Sequence, residues 1–92
     1  MAIWVPFTEA VFRNALPVFV LDRHMVWVGM NPSKAARMAE IVASVRAEFR
    51  EAVKANPQNV VNADEETIPA AGLQFALDKA AYVLFMEMGD LV

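Results

Sequence analysis

The chain has 92 residues, of which 58% are apolar and 21% are charged, with a net charge of −3 and no cysteine. A chain of this length forms one domain, residues 1–92, and buries only about 60 to 65% of the surface that its unfolded form exposes. The composition excludes a disulfide framework and wholesale wrapping around nucleic acid, and it supplies more apolar surface than one small core can cover. We expect the surplus to face another copy of the chain or another protein.

A membrane is the weaker option for this apolar surplus. The longest nearly apolar stretch, residues 16–30, contains the polar triplet 22–24 and is shorter than the roughly 20 residues that a spanning helix needs. The first residues include Glu9 and Arg13 and lack the basic start and cleavage site of a secretory signal. We therefore expect no membrane association and a protein that is made and kept in a cytoplasm.

The first predicted element is a short helix that begins after Thr8 and ends near Ala15. Threonine is a good N-cap, and Glu9 suits the positive end of the helix dipole. Pro17 then interrupts this helix. Residues 18–28 are rich in β-branched and aromatic side chains on both sides of the polar triplet, a pattern typical of two short strands joined by a turn. A short helix is the alternative, because periodicity cannot separate the two in apolar runs this brief.

The second predicted element is a long amphipathic helix. Asn31 and Pro32 combine a good N-cap with a proline at the first helical position, and Pro57 marks the region where the helix has ended. Its apolar residues recur every three or four positions and form one stripe: Ala35, Met38, Ile41, Val42, Val45, Phe49, Ala52 and Val53. This helix is expected to face the core.

The last predicted helix follows a polar connection and an acidic turn. It begins near Pro69, continues to about Met88 and stops at Gly89. One face is suited to the core and consists of Leu73, Ala76, Leu77, Ala80 and Leu84. A second apolar strip on another side is the candidate oligomer interface: Phe75, Tyr82, Val83 and Met86. Together the elements predict a mainly α domain of three or four helices, with a short β-hairpin in the N-terminal third as an option.

No catalytic, cofactor-binding or metal-binding pattern is present. His24 is the only histidine, and we expect it to be a solvated turn residue. No Gly-rich phosphate loop or nucleophile motif occurs. The acidic turn Asp64, Glu65 and Glu66 lacks the alternating spacing and the turn glycine of an EF-hand loop, so a solvated loop is the simpler interpretation. We therefore expect no enzymatic activity, no cofactor and no metal.

Two groups of side chains are candidates for contact with a partner. The first is a basic row on the polar side of the long helix: Arg46, Arg50 and Lys54. The second is aromatic: Trp4, Phe7 and Trp27. The basic row is typical of a solvated helix face, and contact with an acidic partner or with phosphates is the alternative. The aromatic side chains either fill the core or form a docking arm.

Several short motifs follow one another in a characteristic order. They are Phe7-Thr8 with Ala10-Val11 and Leu16; Glu40-Ile41-Val42 with Val45-Arg46 and Glu48-Phe49-Arg50; Ala55-Asn56-Pro57; Asp64-Glu65 with Thr67-Ile68-Pro69; and Ala76-Leu77 with Tyr82 and Leu84. In this order and spacing the chain resembles the small head-to-tail adaptor (connector) proteins of tailed bacteriophages. The similarity is good over the C-terminal part of the chain and poor over the first third.

The resemblance implies a small helical subunit of a homo-oligomeric ring, commonly dodecameric, that lies below the portal in the virion neck and extends the DNA channel. It implies the portal protein and tail or stopper proteins as partners, and DNA that passes through the lumen without specific binding. The acidic turn 64–66 would then face the channel. A small dimeric helical regulatory module that uses the basic row on an acidic partner or DNA is the alternative.

Overall fold

The structure, a computed structural model, describes residues 3–89, which form four α-helices, two 3-10 turns and a two-stranded sheet. In chain order these are β1 (Trp4–Pro6), α1 (Glu9–Ala15), α2 (Val18–Met30), a 3-10 turn (Pro32–Lys34), α3 (Arg37–Lys54), β2 (Thr67–Pro69), a second 3-10 turn (Ala70–Gly72) and α4 (Leu73–Met88). The prediction of a mainly α domain is confirmed.

The core lies between α3 and α4 and is closed by α1 and the sheet. Its buried apolar side chains are Phe7, Phe12, Met38, Ile41, Val42, Val45, Ile68, Ala76, Ala80 and Leu84. The stripe predicted for α3 and the core face predicted for α4 both supply this core, but Ala35, which precedes α3, and Ala52 are exposed. Because α4 contributes alanines at Ala76 and Ala80, its backbone can approach α3 closely.

The sheet joins the start of the chain to the segment before α4. Strands β1 and β2 are antiparallel, with Trp4 opposite Pro69, Val5 opposite Ile68 and Pro6 opposite Thr67. The pairing continues at both ends, because the Phe7 N–H donates to the Glu66 carbonyl at 2.8 Å and the Ala70 N–H donates to the Ile3 carbonyl at 2.7 Å. A two-stranded sheet tolerates its two prolines, since each strand has a free edge.

Residues 18–28 are helical, and the prediction of two strands there is wrong. The polar triplet 22–24 lacks the glycine that two-residue hairpin turns strongly prefer. The inner side chains of α2, which are Val20, His24 and Trp27, follow one another at helical spacings of four and three. Pro17 stands just before the first helical residue, where a missing N–H has no consequence. The alternative of a helix, which the sequence left open, is therefore the correct one.

Helix α3 begins later than predicted because Asn31 ends α2 instead of starting α3. The backbone N–H and the side-chain amide of Asn31 both donate to the Trp27 carbonyl, each at 2.9 Å. Pro32 opens a 3-10 turn, and the α-helix itself starts at Arg37.

Helix α4 also begins later than predicted, at Leu73, because Thr67–Pro69 is occupied by strand pairing. It ends at Gly89 as predicted. The φ angle of Gly89 is 70°, in the left-handed region that a glycine adopts at low cost.

Arg37 at the start of α3 and Glu87 near the end of α4 connect the two helices. The Arg37 Nε donates to both carboxylate oxygens of Glu87, at 2.8 and 2.9 Å. These hydrogen bonds lower the pKa of Glu87 and raise the pKa of Arg37. The ion pair thus fixes the relative position of the two core helices at one end of the domain.

The domain is elongated, with principal extents of 46 × 22 × 19 Å and a radius of gyration of 14.4 Å. A compact domain of this length would have a radius of gyration of about 12 Å. Helix α2 packs sparsely on the rest of the domain and makes its most extensive contact with the 3-10 turn that follows it. Much of the α2 surface is therefore left open.

Candidate functional surfaces

Within residues 3–89, no group of three or more His, Asp or Glu side chains is placed to hold a metal ion. In the same part of the chain, none of the helices combines the length and the apolarity that crossing a bilayer requires. The features that remain are polar anchors around β2, an acidic turn, and two exposed apolar surfaces.

The first feature is Arg50, which is buried with 9% of its surface exposed. Its Nη1 donates to the carbonyls of Asp64 and Thr67, at 2.9 and 2.8 Å, and its Nη2 donates to the carbonyl of Asn62 at 2.5 Å. Its guanidinium carbon lies 5.3 Å from the ring centroid of Trp4, a cation–π distance. Arg50 therefore holds helix α3, the acidic turn and the sheet together.

The other two members of the basic row differ from Arg50. Arg46 donates to the Phe7 carbonyl at 2.8 Å and so anchors the segment after β1. Lys54 is exposed and lies 3.4 Å from a carboxylate oxygen of Glu51. The structure therefore places two structural anchors and one solvated lysine where the sequence suggested a continuous row. The anchors bind carbonyl oxygens, which sequence periodicity cannot indicate.

The acidic turn has a defined conformation although its three carboxylates are exposed. The Asp64 carboxylate accepts the N–H of Glu66 at 3.0 Å, and the Asp64 carbonyl accepts the N–H and the hydroxyl of Thr67 at 3.2 and 2.7 Å. Among residues 3–89, the carboxylates of Glu65 and Glu66 have no hydrogen-bond or ion-pair partner. The turn therefore presents negative charge from an ordered backbone. The expectation that it faces a channel stays a prediction.

The connection between α3 and β2 borders a cavity of about 570 Å³. The lining residues are Trp4, Val53, Gln58, Asn59, Val60, Asn62 and Pro69. Asparagine side chains close the turns of this connection: the Asn59 side chain donates to the Val53 carbonyl at 3.0 Å, and the Asn56 side chain accepts the Gln58 N–H at 3.0 Å. The cavity combines apolar walls with neutral amides, which suits a segment of another protein better than a charged ligand.

The three aromatic candidates for docking have separate roles. Phe7 is completely buried in the core and cannot contact a partner. Trp4 is half-buried and stacks on Arg50. Trp27 is half-buried against the core, with its ring centroid 5.9 Å from that of His24. Core filling, which the sequence left open, therefore applies to Phe7.

His24 is not the solvated turn residue that the sequence predicted. It lies on the inner side of α2 with 4% of its surface exposed, and its Nε2 atom has no hydrogen-bond partner among the described residues. Burial lowers the pKa of His24, the nearby Arg13 lowers it further, and Glu9 raises it in part. The neutral imidazole is the favoured form at pH 7.

The first apolar surface is a ridge on α4 formed by Phe75, Tyr82 and Met86. These side chains are 73%, 64% and 66% exposed, and they lie on the side of α4 that faces away from the core. Val83, which was predicted to join them, is half-buried and packs against the core. The ridge is an apolar surface that this chain by itself does not cover.

The second apolar surface was not predicted, because residues 18–28 were interpreted as strands. The outer side of α2 exposes five large apolar residues: Val18, Phe19, Met25, Val26 and Met30. Two adjoining cavities of about 620 and 400 Å³ share Phe19 and are lined by α2 and α4, and the smaller one is also lined by α1. We call this combined depression the groove. One wall carries Phe19, Val26 and Met30 from α2, and the other carries Leu77, Phe85 and Met88 from α4.

A sequence pattern could have indicated this second surface. If residues 18–30 are placed on a helix, five large apolar side chains lie outside the arc that faces the core, and a small core cannot bury them as well.

Comparisons with protein-family models, with curated proteins and with solved structures give no match for this chain.

Proposed function

We propose that the chain is a structural protein of a tailed bacteriophage, an adaptor subunit that forms a ring below the portal and extends the DNA channel. The observation that carries the proposal is the pair of exposed apolar surfaces on α2 and α4, on a domain whose core is already filled. Monomeric soluble proteins rarely expose contiguous apolar patches larger than a few hundred Å², and larger patches mark interaction sites. A subunit with two such surfaces can contact two neighbours, as each member of a ring must do.

The positions of the motifs that resemble the adaptor family also support the proposal. Three of these motifs, which are distant in sequence, meet in space. Arg46 of the central motif binds the Phe7 carbonyl of the first motif, and Arg50 binds the carbonyls of Asp64 and Thr67 in the acidic motif. The motifs therefore form one connected unit in this chain.

The acidic turn has a proposed place in this assembly. If residues 64–66 line the channel, their charge repels the DNA phosphates and keeps the DNA from adhering as it slides. The variant Asp64→Asn, Glu65→Gln, Glu66→Gln tests this placement, because it removes the charge and keeps the acceptor that closes the turn. Slower DNA packaging or ejection is expected. Particles with unchanged packaging and ejection would show that the turn does not face the DNA.

The alternative, a small dimeric regulator that binds an acidic partner or DNA, receives less support. It requires the basic row to be available, yet Arg46 and Arg50 already donate to carbonyls of their own chain. Lys54 is the one member of the row that is exposed, and it lies beside Glu51. A dimer that binds DNA with a steep salt dependence would restore this alternative.

Mass spectrometry of purified particles tests the proposed function. Particles produced from the genome that encodes this chain should contain it at a stoichiometry of several copies for each portal ring. Electron microscopy of the purified chain mixed with the portal protein of that genome should show an added ring. Purified particles that lack the chain would refute the proposal, whatever the chain does in isolation.

A further inference from the structure

The ridge and the groove have complementary shapes and lie on the same chain. The ridge residues Phe75, Tyr82 and Met86 project from one side of α4 at positions i, i+7 and i+11, which is the spacing of a helix that inserts into an apolar groove. The groove is bordered by α2 and α4, with α1 contributing to its smaller cavity, and its walls are mostly apolar. A convex apolar surface and a concave apolar surface are therefore both present and both uncovered.

The two surfaces cannot cover each other within one subunit. On α4 the ridge residues and the groove residues Leu77, Phe85 and Met88 are separated by roughly 120° around the helix axis, from 100° per residue. A single rigid helix cannot turn both sides toward the same surface. Contact between them therefore requires a second copy of the chain.

We propose that the α4 ridge of one copy inserts into the α2–α4 groove of the next copy. The inference rests on the proposed function, in which copies of the chain contact one another, and it identifies the two surfaces that are in contact. Such a contact joins different surfaces on the two copies, so each copy keeps a free ridge or a free groove for a further neighbour. Repetition produces a ring if the rotation closes and a filament if it does not.

The apolar area matches what a stable contact needs. At roughly 200 Å² for each large side chain, the exposed fractions of the three ridge residues amount to roughly 400 Å². A standard interface buries about 800 Å² on each partner, of which about 55 to 65% is apolar. The ridge therefore supplies most of the apolar area of one side of such an interface.

Charged side chains border both surfaces. The groove carries Asp22 and Arg23 on the α2 side and Asp78 on the α4 side, and all three are exposed. Lys79 lies beside the ridge, four residues after Phe75 and three before Tyr82, and forms an ion pair with Glu48. Among residues 3–89, Asp22 and Asp78 have no ion-pair partner. The ridge thus has a cation at its edge, and the groove has two carboxylates that a neighbouring cation can approach.

Two surface substitutions test the contact in purified protein. Tyr82→Glu disrupts the ridge and Phe19→Glu disrupts the groove, and both positions are mostly exposed, so the fold should survive. Each variant alone should lose self-association by at least ~30-fold, as measured by sedimentation velocity. Ile3→Glu is the matched control, since Ile3 is 73% exposed and belongs to neither surface. It should associate as the parent chain does, and circular dichroism verifies folding for all three variants.

Mixing the two variants distinguishes a ridge-in-groove contact from a symmetric one. The Tyr82→Glu chain keeps its groove and the Phe19→Glu chain keeps its ridge, so the mixture should form a 1:1 pair that grows no further. If like surfaces paired instead, one variant would associate alone and mixing would restore nothing, which would overturn the inference. A parent chain that stays monomeric at the highest soluble concentration would also overturn it.

Cross-linking gives a second test that does not depend on weakening the interface. The chain has no cysteine, so Val26→Cys with Tyr82→Cys places one thiol on each surface. Oxidation of this double variant should produce a ladder of covalent oligomers, and neither single variant should form a dimer. Dimers from a single variant would contradict the ridge-in-groove contact. These assays use the pure chain, so a negative result refutes the ridge-in-groove contact alone. Absence of the chain from virions would instead refute the proposed function.

Discussion

Replacement of Arg50 should destabilise the domain, chiefly through the acidic turn and the sheet that this side chain joins to α3. The Arg50→Met variant keeps the length and apolar stem of the side chain and removes the guanidinium. Three backbone carbonyls, those of Asn62, Asp64 and Thr67, then lose the guanidinium as a donor. The hydroxyl of Thr67 keeps the Asp64 carbonyl as its acceptor, so the turn is weakened but not abolished.

The expected loss follows from these contacts. A hydrogen bond to a charged group contributes about 1.5 to 3 kcal/mol, and a buried carbonyl that loses its donor costs a further penalty unless it can reach water. Because the turn at residues 62–66 is exposed, two of the three carbonyls can rehydrate. We therefore expect a loss of about 3 kcal/mol in the free energy of unfolding, which lowers the Tm of a domain of this size by about 12 to 24 °C.

Urea and thermal unfolding followed by circular dichroism measure this loss. Arg50→Lys should fall between the parent and Arg50→Met, since an ammonium cannot reach carbonyls on both sides as the planar guanidinium does. Lys54→Met, one turn further along α3, is the matched control and should stay within about 0.5 kcal/mol of the parent. Amide hydrogen exchange at Phe7 and Thr67 should accelerate in Arg50→Met. An Arg50→Met protein as stable as Lys54→Met would refute the anchoring role of Arg50.

Two further predictions concern His24 and Gly72. The folded-state pKa of His24 is lowered from 6.5, so the unfolded chain binds more protons than the folded chain between the two pKa values. The contribution of neutral His24 to the free energy of unfolding is therefore fully present above pH 6.5 and is lost as the pH falls through the folded-state pKa. His24→Leu should flatten this decline between pH 7 and 5 and should be at least as stable at pH 7, since an unpartnered polar atom is removed; equal pH profiles for the two proteins would contradict it. Gly72→Ala would place its Cβ 2.9 Å from the Phe49 ring and should destabilise the domain by about 1 to 3 kcal/mol, whereas an unchanged urea midpoint would show that the ring moves freely.

Local patterns in the sequence were sufficient for the elements whose contacts are close in sequence. Thr8 was predicted to cap α1, and its hydroxyl accepts the Val11 N–H at 3.4 Å. The apolar stripe of α3 and the core face of α4 were predicted from a spacing of three and four residues, because one buried side of a helix produces that period directly. The stop at Gly89 follows from the conformational freedom of one residue.

Features that join distant parts of the chain could not be predicted in this way. The pairing of β1 with β2 connects segments that are far apart in the sequence, and three-residue strands with a proline in each have no readable alternation. The burial of Arg50 depends on carbonyls that lie 12 to 17 residues further along the chain. An arginine on the polar side of an amphipathic helix otherwise has the pattern of a solvated residue.

The sequence by itself determined that this is one small, mainly helical domain with more apolar surface than its core can hold, because composition and helical period depend only on residue types and their spacing. Only the tertiary structure decided where that surplus lies. It showed that α2 is a helix with an open outer side, that α4 carries a ridge away from the core, and that the basic row is largely internal. The physical reason is that exposure depends on which faces of the helices pack together. The spacing of residues along one helix shows which side chains share a face, but it does not show what that face contacts.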